Sequence, residues 1–247
     1  MKTVLITGCS SGYGLETARH FHSQGWHVLA TMRTPRTDLL PRSERLRVLP
    51  LDVTQPESIA AALEAAGPID VLVNNAGLGL FGAFEATPMA TVREIFETNT
   101  FGTMAMTQAV LPQFRLRKSG LVINVTSTVT LAPMPLVAAY TASKTAIEGF
   151  TESLAFELEP FGVRVKLVEP GYGPGTRFTE NGAERMQGLI PEAYAPLAQS
   201  IFATLGSPAA VTTASDVAEA VWRAANDSAS TLRYPAGADA LALARGR

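Results

Sequence analysis

Three shortages narrow the function of this 247-residue chain before any motif is considered. Cys9 is its only cysteine, so an intramolecular disulfide and a cysteine-based metal cluster are both excluded. The 20 basic residues are balanced by 22 acidic ones, so the chain lacks the positive charge that nucleic acids and anionic lipids attract. No apolar run approaches the roughly 20 residues of a membrane-spanning helix, and the first run is too short for a signal peptide. We therefore expect a cytoplasmic protein with no metal, nucleic-acid or membrane partner.

The chain is rich in apolar sequence, with 47% hydrophobic and 17% charged residues, which excludes disorder. Its length is compatible with one domain over residues 1–247, since domains average roughly 150 residues. Short runs of Val, Ile and Leu alternate with helical patterns, as in parallel strands that are buried on both faces. The predicted strands are 3–7, 26–31, 46–50, 69–73, 121–125, 163–168 and 231–234, and the predicted helices are 12–24, 56–66, 88–118, 137–161 and 215–225. This order predicts an α/β fold with a single doubly wound, Rossmann-like parallel sheet of about seven strands and helices on both faces.

One segment, residues 172–208, breaks the alternation of strands and helices. It contains five glycines and four prolines and follows the sixth predicted strand. Doubly wound sheets bind their ligands beyond the carboxyl ends of the strands. We therefore predict that residues 172–208 form a mobile lid over the substrate, and that the chain ends in a small, polar tail.

A glycine-rich turn links the first predicted strand to the first helix. Gly8, Gly12 and Gly14 have the spacing G-x-x-x-G-x-G, at a place where backbone amides and the helix dipole can hold a pyrophosphate. A turn that merely requires positive φ is the structural alternative. The same residues, with Ser10, also satisfy the G-x-S-x-G pattern of serine hydrolases. That class needs a histidine late in the chain, whereas the three histidines lie at positions 20, 22 and 27, so a hydrolase is disfavoured.

The residues after the second predicted strand indicate which dinucleotide is bound. NAD-preferring sites usually place a carboxylate here, on the adenosine ribose. In this chain no carboxylate occurs between the second predicted strand and Asp38, and the segment contains Arg33 and Arg36 instead. A guanidinium would bind a 2′-phosphate through charge-assisted hydrogen bonds, which favours NADP(H) over NAD(H). The alternative is a solvated loop arginine.

A second group of residues indicates proton transfer. Tyr140 and Lys144 are four residues apart, so a helix places the phenol and the ammonium on one face. The lysine charge favours phenolate and would lower the pKa of the tyrosine towards the range of a general acid or base. Ser127 comes just after the predicted strand 121–125. Asn99 lies inside a helical pattern, where asparagine is unfavourable, so a functional role would explain its presence there.

Together these residues resemble the short-chain dehydrogenase/reductase family, in its form of about this length, over nearly the whole chain. The matching residues are Thr7-Gly8-xxx-Gly12-x-Gly14, Asp52-Val53, Asn74-Asn75-Ala76-Gly77, Asn99, Ser127, Tyr140-xxx-Lys144 and Pro170-Gly171. The segments TGCSSGYGL, ATMR, LVNNAGLGL and TLRY are most similar to the branch of 17β-hydroxysteroid dehydrogenases and related ketone reductases. The resemblance implies an oxidoreductase that transfers a hydride between NADP(H) and a ketone or secondary alcohol.

The resemblance also implies residue roles. Tyr140 is the general acid or base, Ser127 polarises the carbonyl oxygen, and Lys144 lowers the pKa of Tyr140 and holds the nicotinamide ribose. Asn99 anchors a water that passes protons onward from Lys144. The expected cofactor-binding residues are Gly8, Ser10, Ser11, Gly12, Tyr13, Gly14, Arg33, Asp52, Val53, Asn75, Ala76, Gly77, Tyr140, Lys144, Pro170, Gly171 and Thr176. The expected substrate contacts are Ser127, Met134, Val137, Tyr140 and Tyr172, which suit a hydrophobic carbonyl or alcohol.

Two positions depart from the family pattern. Thr176 lies six residues after Pro170, where family members commonly have a threonine at five, so its contact with the nicotinamide carboxamide is open. Tyr13 replaces a small aliphatic residue, and its ring either lies along the pyrophosphate groove or turns away.

Self-association and a second function complete the expectations. In the family that the sequence resembles, helices with small residues, like the predicted helix 137–161, often pair across a two-fold axis with the helix near residues 99–118, so the resemblance implies a homodimer or homotetramer. Packing of these small residues into the core of a single subunit is the alternative. A sensor of the same fold that binds the dinucleotide without catalysis is the alternative to an enzyme. Such a sensor would not require Ser127, Tyr140 and Lys144 together.

Overall fold

The computed structural model describes residues 1–176, 178–206 and 210–246. Seven parallel strands form one sheet in the order β3-β2-β1-β4-β5-β6-β7, which confirms the predicted fold class. The strands are β1 (Thr3–Ile6), β2 (His27–Met32), β3 (Leu46–Pro50), β4 (Val71–Asn74), β5 (Gly120–Val125), β6 (Val163–Pro170) and β7 (Arg233–Ala236). In register, Val4 of β1 lies opposite Val28 of β2 and Val71 of β4.

Nine helices within the described residues surround this sheet. They are α1 (Gly12–Ser23), α2 (Pro56–Ala66), α3 (Met89–Phe96), α4 (Gly102–Arg117), α5 (Ala138–Leu158), α6 (Phe178–Met186), α7 (Ala195–Gly206), α8 (Ala214–Asn226) and α9 (Ala238–Arg245). The start of α2 follows from Pro56, since proline is favoured in a first helical turn. A capping box between Thr213 and Asp216 fixes the start of α8.

Both faces of the sheet are covered by helices. Successive strand residues point to opposite faces, and in β1 Val4 and Ile6 pack in the cluster that contains Phe21 of α1 and residues of α8. Leu5, between them, packs on the other face in a cluster that contains Phe114 of α4 and residues of α2 and α5. This two-sided burial explains why the strands are continuous apolar runs.

Two predicted features are corrected by the structure. The helix predicted over 88–118 is interrupted by a π-helical turn, Glu97–Phe101, which separates α3 from α4. The extra residue of such a turn changes which side chains face inward, and Asn99 is only 1% exposed. The tail after β7 also ends in a regular helix, α9, rather than in irregular chain.

The predicted lid contains two helices, α6 and α7, joined through a 3₁₀ turn at Glu192–Tyr194. Positions 177, 207 and 208 of the predicted lid lie outside the described residues. The backbone N–H of Ala83 donates to the carbonyl of Leu189 at 2.8 Å, and the rings of Phe81 and Phe202 are 5.1 Å apart. These contacts pack the segment against the chain that follows β4.

Across the described parts of the chain, no helix is both long enough and apolar enough to cross a bilayer.

Candidate active site

A cleft of about 500 Å³ opens at the carboxyl ends of the strands. The chain runs outward to β2 and β3 on one side of β1 and to β4 on the other, so the loops that leave β1 and β4 diverge. Ligands of doubly wound sheets bind in the crevice that such divergence leaves. Of the expected residues the cleft is lined by Gly8, Ser10, Ser11, Gly12, Tyr13, Arg33, Asp52, Val53, Asn75, Ala76, Gly77, Tyr140, Lys144 and Thr176.

The glycine-rich turn is built so closely that larger residues do not fit. Gly8 has φ of +74°, and a Cβ there would lie 2.7 Å from the Cα of Ala76. A Cβ at Gly14 would collide with the carbonyl oxygen of Gly8. The turn leads directly into α1, which has no acidic residue in its first turn, so its N–H groups and helix dipole favour an anion in the cleft. These residues fit a dinucleotide pyrophosphate.

Thr7 joins the two diverging loops. Its Oγ1 accepts hydrogen bonds from the backbone N–H groups of Asn75 and Ala76, both at 2.9 Å. In return, the side-chain amide of Asn75 donates to the carbonyl oxygens of Thr7, at 2.9 Å, and Gly8, at 3.2 Å. This network fixes the distance between the glycine-rich turn and the Asn75–Gly77 loop. The sequence motif contained Thr7, but this tethering role depends on the pairing of β1 with β4.

The adenosine end of the cleft holds Asp52 and Arg33. The Oδ1 atom of Asp52 accepts from the N–H and the hydroxyl of Thr54, at 2.9 and 2.7 Å, which fixes this carboxylate at the end of β3. Arg33 lines the cleft. Arg36, the second arginine after β2, pairs instead with Asp38 at 2.9 Å. Of the two arginines after β2, Arg33 is thus the one that lines the cleft.

Arg185 and Glu94 form an ion pair in the lining of the cleft, which the sequence did not reveal. Arg185 of the lid donates from Nε to Glu94 Oε2 at 3.0 Å and from Nη2 to Glu94 Oε1 at 2.6 Å. This two-pronged contact links α6 to α3, and both side chains line the cleft. The hydrogen bond from Arg185 lowers the pKa of Glu94, and the charge of Arg33 contributes to the lowering.

The opposite end of the cleft brings Ser127, Tyr140 and Lys144 together. Ser127 follows β5 and hydrogen-bonds to Tyr140, which lies in the first turn of α5. One helical turn later Lys144 is 7% exposed, and its Nζ donates to the carbonyl of Val125 at 2.9 Å. The spacing of four residues therefore places the phenol and the ammonium on the cleft side of α5, as predicted.

Burial dominates the proton affinities of this group. Desolvation raises the pKa of Tyr140 to about 12, although its hydrogen bond to Ser127 acts in the opposite direction. Desolvation lowers the pKa of Lys144 to about 8, although the carboxylate of Glu148 opposes the change. The sequence led us to expect a lowered tyrosine pKa. In the nucleotide-free protein the larger effect is burial, which disfavours both charged forms.

Asn99 lies in the π-helical turn, beside Lys144. Its Oδ1 accepts from the N–H of Leu78 at 2.7 Å, and its Nδ2 donates to Leu78 O at 2.9 Å and to Ser143 Oγ at 3.1 Å. A Cβ on Gly77 would lie 3.3 Å from Asn99 Oδ1 and 3.5 Å from Lys144 Nζ. Asn99 therefore holds the loop after β4 against α5, and the proton relay expected from the resemblance stays a prediction.

Tyr13 lines the cleft. Its hydroxyl lies so close to Gly173 that a Cβ there would collide with it. Burial raises the pKa of Tyr13 above its ordinary value, and the nearby Tyr140 and Asp239 add to the effect. Thr176 lines the cleft close by, with its hydroxyl donating to Gly173 O at 2.8 Å.

The end of β6 and the two residues after it pack beside β7 and α9. These residues are Pro170, Gly171 and Tyr172. Gly171 N–H donates to Ala236 O at 3.2 Å, and Tyr172 N–H donates to Asp239 Oδ2 at 2.6 Å. These residues contact β7 and α9, and they are not among the residues that line the cleft.

Met134 and Val137 have different surroundings from those expected. Met134 lines a separate apolar groove with Pro133, Ala138 and small residues of α5. Val137 is buried, with 6% of its surface exposed, at the start of α5. Neither side chain lines the main cleft.

Within the described ranges, no group of three or more His, Cys, Asp and Glu side chains could hold a metal ion.

Comparison with known proteins connects this geometry to a family. The chain matches the family model for short chain dehydrogenase over residues 2–187. It is 42% identical over 184 residues to retinol dehydrogenase 8 of Bos taurus, covering 69% of this chain and 58% of that protein. It is 41% identical over 182 residues to 3-ketodihydrosphingosine reductase of Bacteroides thetaiotaomicron, covering 72% and 66%, respectively. The matches span less than two thirds of either relative.

Solved structures match over more of the chain. A short-chain dehydrogenase from Streptomyces avermitilis has a TM-score of 0.83 and 34% identity, covering 99% of this chain and 91% of that one. A short-chain dehydrogenase from Burkholderia cenocepacia in complex with NADP has a TM-score of 0.79, 27% identity and coverage of 100% and 94%. One from Burkholderia phymatum in complex with NAD has a TM-score of 0.80, 25% identity and coverage of 99% and 92%. Structural relatives thus bind either nucleotide.

Proposed function

Because the chain belongs to the short-chain dehydrogenase/reductase family, we propose that it is an NADP(H)-dependent enzyme that interconverts a ketone and a secondary alcohol. The observation that carries the proposal is the layout of one cleft. Its glycine-rich end fits a pyrophosphate, and its other end contains Tyr140 and Lys144 beside Ser127. A dinucleotide that lies along the cleft would thus have its adenosine beside Arg33 and Asp52, its pyrophosphate at the glycine-rich turn and its nicotinamide ring near Tyr140 and Lys144.

In the proposed reduction, two hydroxyl groups of the protein have different tasks. Ser127 donates a hydrogen bond to the carbonyl oxygen of the substrate and polarises it. The bound nicotinamide supplies the hydride that reaches the carbonyl carbon. Tyr140 donates its proton to the same oxygen, which gives the secondary alcohol and leaves a phenolate. The raised pKa of Tyr140 keeps the phenol protonated before the reaction, as a proton donor requires.

Lys144 supports the step from one helical turn away. Its ammonium stabilises the phenolate that Tyr140 becomes, which is the proposed way in which it lowers the tyrosine pKa. With a pKa of about 8 the group carries charge below that pH in the nucleotide-free protein. Lys144 lines the cleft beside Gly77, so it can contact a nicotinamide ribose there.

The preference for NADP(H) rests on Arg33 and on the absence of an acidic residue directly after β2. Arg33 lines the cleft where the adenosine ribose would lie, and a guanidinium forms strong, charge-assisted hydrogen bonds with a phosphate. Asp52, on β3, would contact the adenine. Thr176 lines the cleft near Gly12 and would meet the nicotinamide carboxamide.

The proposed substrate is a hydrophobic carbonyl or alcohol. Leu78 lines the cleft, and Leu80 and Leu189 form an apolar cluster against which Leu78 and Tyr140 pack. Apolar walls with few polar anchors suit such a molecule. The names of the relatives, a retinol dehydrogenase and a 3-ketodihydrosphingosine reductase, agree with this class.

The test measures thermal unfolding of the protein alone, with NADPH and with NADH at matched concentrations. A ligand that binds only the folded state raises the midpoint, and we expect a larger rise with NADPH. NADPH oxidation with estrone, acetophenone and 2-butanone then tests turnover. No shift with either nucleotide would refute the cofactor site, and a shift without turnover of any ketone would favour the non-catalytic sensor.

A further inference from the structure

Three successive turns of α5 hold the segment that carries Ser127. This serine segment, residues 125–130, connects the end of β5 to the loop before α5. Tyr140 hydrogen-bonds to Ser127, and Lys144 donates to the first carbonyl of the segment at 2.9 Å. The third turn presents Glu148, which has no role in the proposed reaction and is 6% exposed.

The carboxylate of Glu148 accepts hydrogen bonds from the serine segment on both sides of Ser127. Its Oε1 accepts a hydrogen bond from the hydroxyl of Thr126 at 3.1 Å and another from the hydroxyl of Thr130. Its Oε2 accepts from Nη1 of Arg233 at 2.8 Å. One oxygen thus holds the residues that flank the serine, and the other is neutralised from β7.

The same carboxylate acts on Lys144 through its charge. The Glu148 charge favours the ammonium form of Lys144 and so opposes the lowering of its pKa by burial. Arg233 also pairs with Glu152 at 2.6 Å and with Glu169, which is 1% exposed. A buried ion pair is by itself weak evidence for stability, because desolvation offsets the attraction. The arrangement is better explained by what Glu148 holds in place.

We propose that Glu148 is a positioning residue that fixes Ser127 against Tyr140. The proposal rests on the proposed function, since Glu148 would affect the reaction only through Ser127 and Tyr140. Thr130 transmits the positioning, because its hydroxyl lies within hydrogen-bond distance of both Glu148 Oε1 and Ser127 O, the latter at 2.7 Å.

The experiment tests this positioning role with four single variants. Thr130→Val removes the hydroxyl at nearly constant volume, and Thr130→Ser restores it. Glu148→Gln keeps one acceptor oxygen but removes the charge. Glu152→Gln is the matched control, because Glu152 lies on the same helix and binds the same arginine, yet it makes no hydrogen bond to the serine segment in the described contacts. Readouts are amide hydrogen exchange of peptides covering 125–131, NADPH dissociation constants, and kcat and KM for the ketone that the enzyme reduces.

We expect Thr130→Val and Glu148→Gln to speed exchange in the 125–131 peptides by about tenfold while β6 is unchanged. Their kcat should fall by about tenfold or more, with KM and the NADPH dissociation constant within twofold of the parent, because the defect lies in a reacting group and not in binding. Thr130→Ser should recover most of the loss. Glu152→Gln should match the parent in every readout.

Unchanged exchange in both Thr130→Val and Glu148→Gln would overturn the positioning role, as would a kcat within twofold of the parent for both. If Glu148→Gln does not fold, Thr130→Val and Thr130→Ser still decide the matter. If the parent binds no nucleotide and reduces no ketone, the proposed function fails. In that case exchange alone decides whether Glu148 holds the serine segment.

Discussion

Replacing Lys144 by methionine should stabilise the nucleotide-free protein at neutral pH while abolishing its proposed role. Lys144 is 7% exposed, and burial lowers its pKa from 10.5 to about 8. Its charged form is therefore less favourable in the folded protein than in the unfolded chain. Methionine has a similar length, carries no charge and adapts to irregular apolar surroundings.

The magnitude follows from the two pKa values of Lys144. A difference of about 2.5 between them corresponds to about 3 kcal/mol of unfavourable folding free energy below pH 8. Losing the hydrogen bond from Nζ to Val125 O costs about 1 kcal/mol. The Lys144→Met variant should therefore be more stable by about 2 kcal/mol at pH 7.

The difference in stability between the variant and the parent should depend on pH. Between about pH 8 and 10.5 the unfolded lysine binds a proton that the folded one has lost, so the parent gains stability as pH rises. The advantage of the variant should shrink by about 2 kcal/mol from pH 7 to 9.5. Urea unfolding of both proteins at pH 7, 8.5 and 9.5 measures it. A variant less stable than the parent at pH 7, or a constant difference across this range, would refute the reasoning.

Three further predictions concern catalysis, cofactor preference and assembly. Tyr140→Phe should lower kcat by about 10²-fold or more with an unchanged NADPH dissociation constant, because only the proton donor is removed; near-normal turnover would contradict the catalytic assignment. Arg33→Asp should shift the ratio of NADPH to NADH dissociation constants towards NADH by about tenfold or more, and an unchanged ratio would mean that the 2′-phosphate is bound elsewhere. Leu116 of α4 and Phe156 of α5 are 86% and 80% exposed. Light scattering should show a homodimer or homotetramer that arginine at both positions dissociates, and a monomeric parent would contradict this.

The sheet was predictable because strands buried on both faces leave a direct record in the sequence. In β5, Leu121 to Val125 are all buried, and four of these five residues are apolar. The π-helical turn left a weaker record. Its hydrogen bonds differ from those of an α-helix by one residue, and the signal in the sequence was the amide of Asn99 within a helical pattern. The short helix α9 was missed for a similar reason, since eight residues after a strand give little periodicity.

The candidate site was predictable wherever its parts are neighbours in sequence. The glycine-rich turn and the Tyr140–Lys144 pair each lie within one loop or helical turn, so spacing alone specifies their geometry. Arg185 and Glu94 are 91 residues apart, and no local pattern indicates that they meet. Glu148 is an intermediate case. Its spacing of four from Lys144 placed it on the same face of α5, whereas its partner Arg233 lies 85 residues away.

The buried site shows why stability and the proposed chemistry are in conflict in this fold. Tyr140 and Lys144 must change charge or stabilise a charge, yet their surroundings disfavour phenolate and ammonium alike. Exposing both groups to water would remove that penalty, but water would also weaken the attraction between them, because the dielectric constant rises. Burial therefore destabilises each ion alone and strengthens the pair that the reaction creates. The carboxylate of Glu148 restores part of the lost stability of the ammonium without opening the site to solvent.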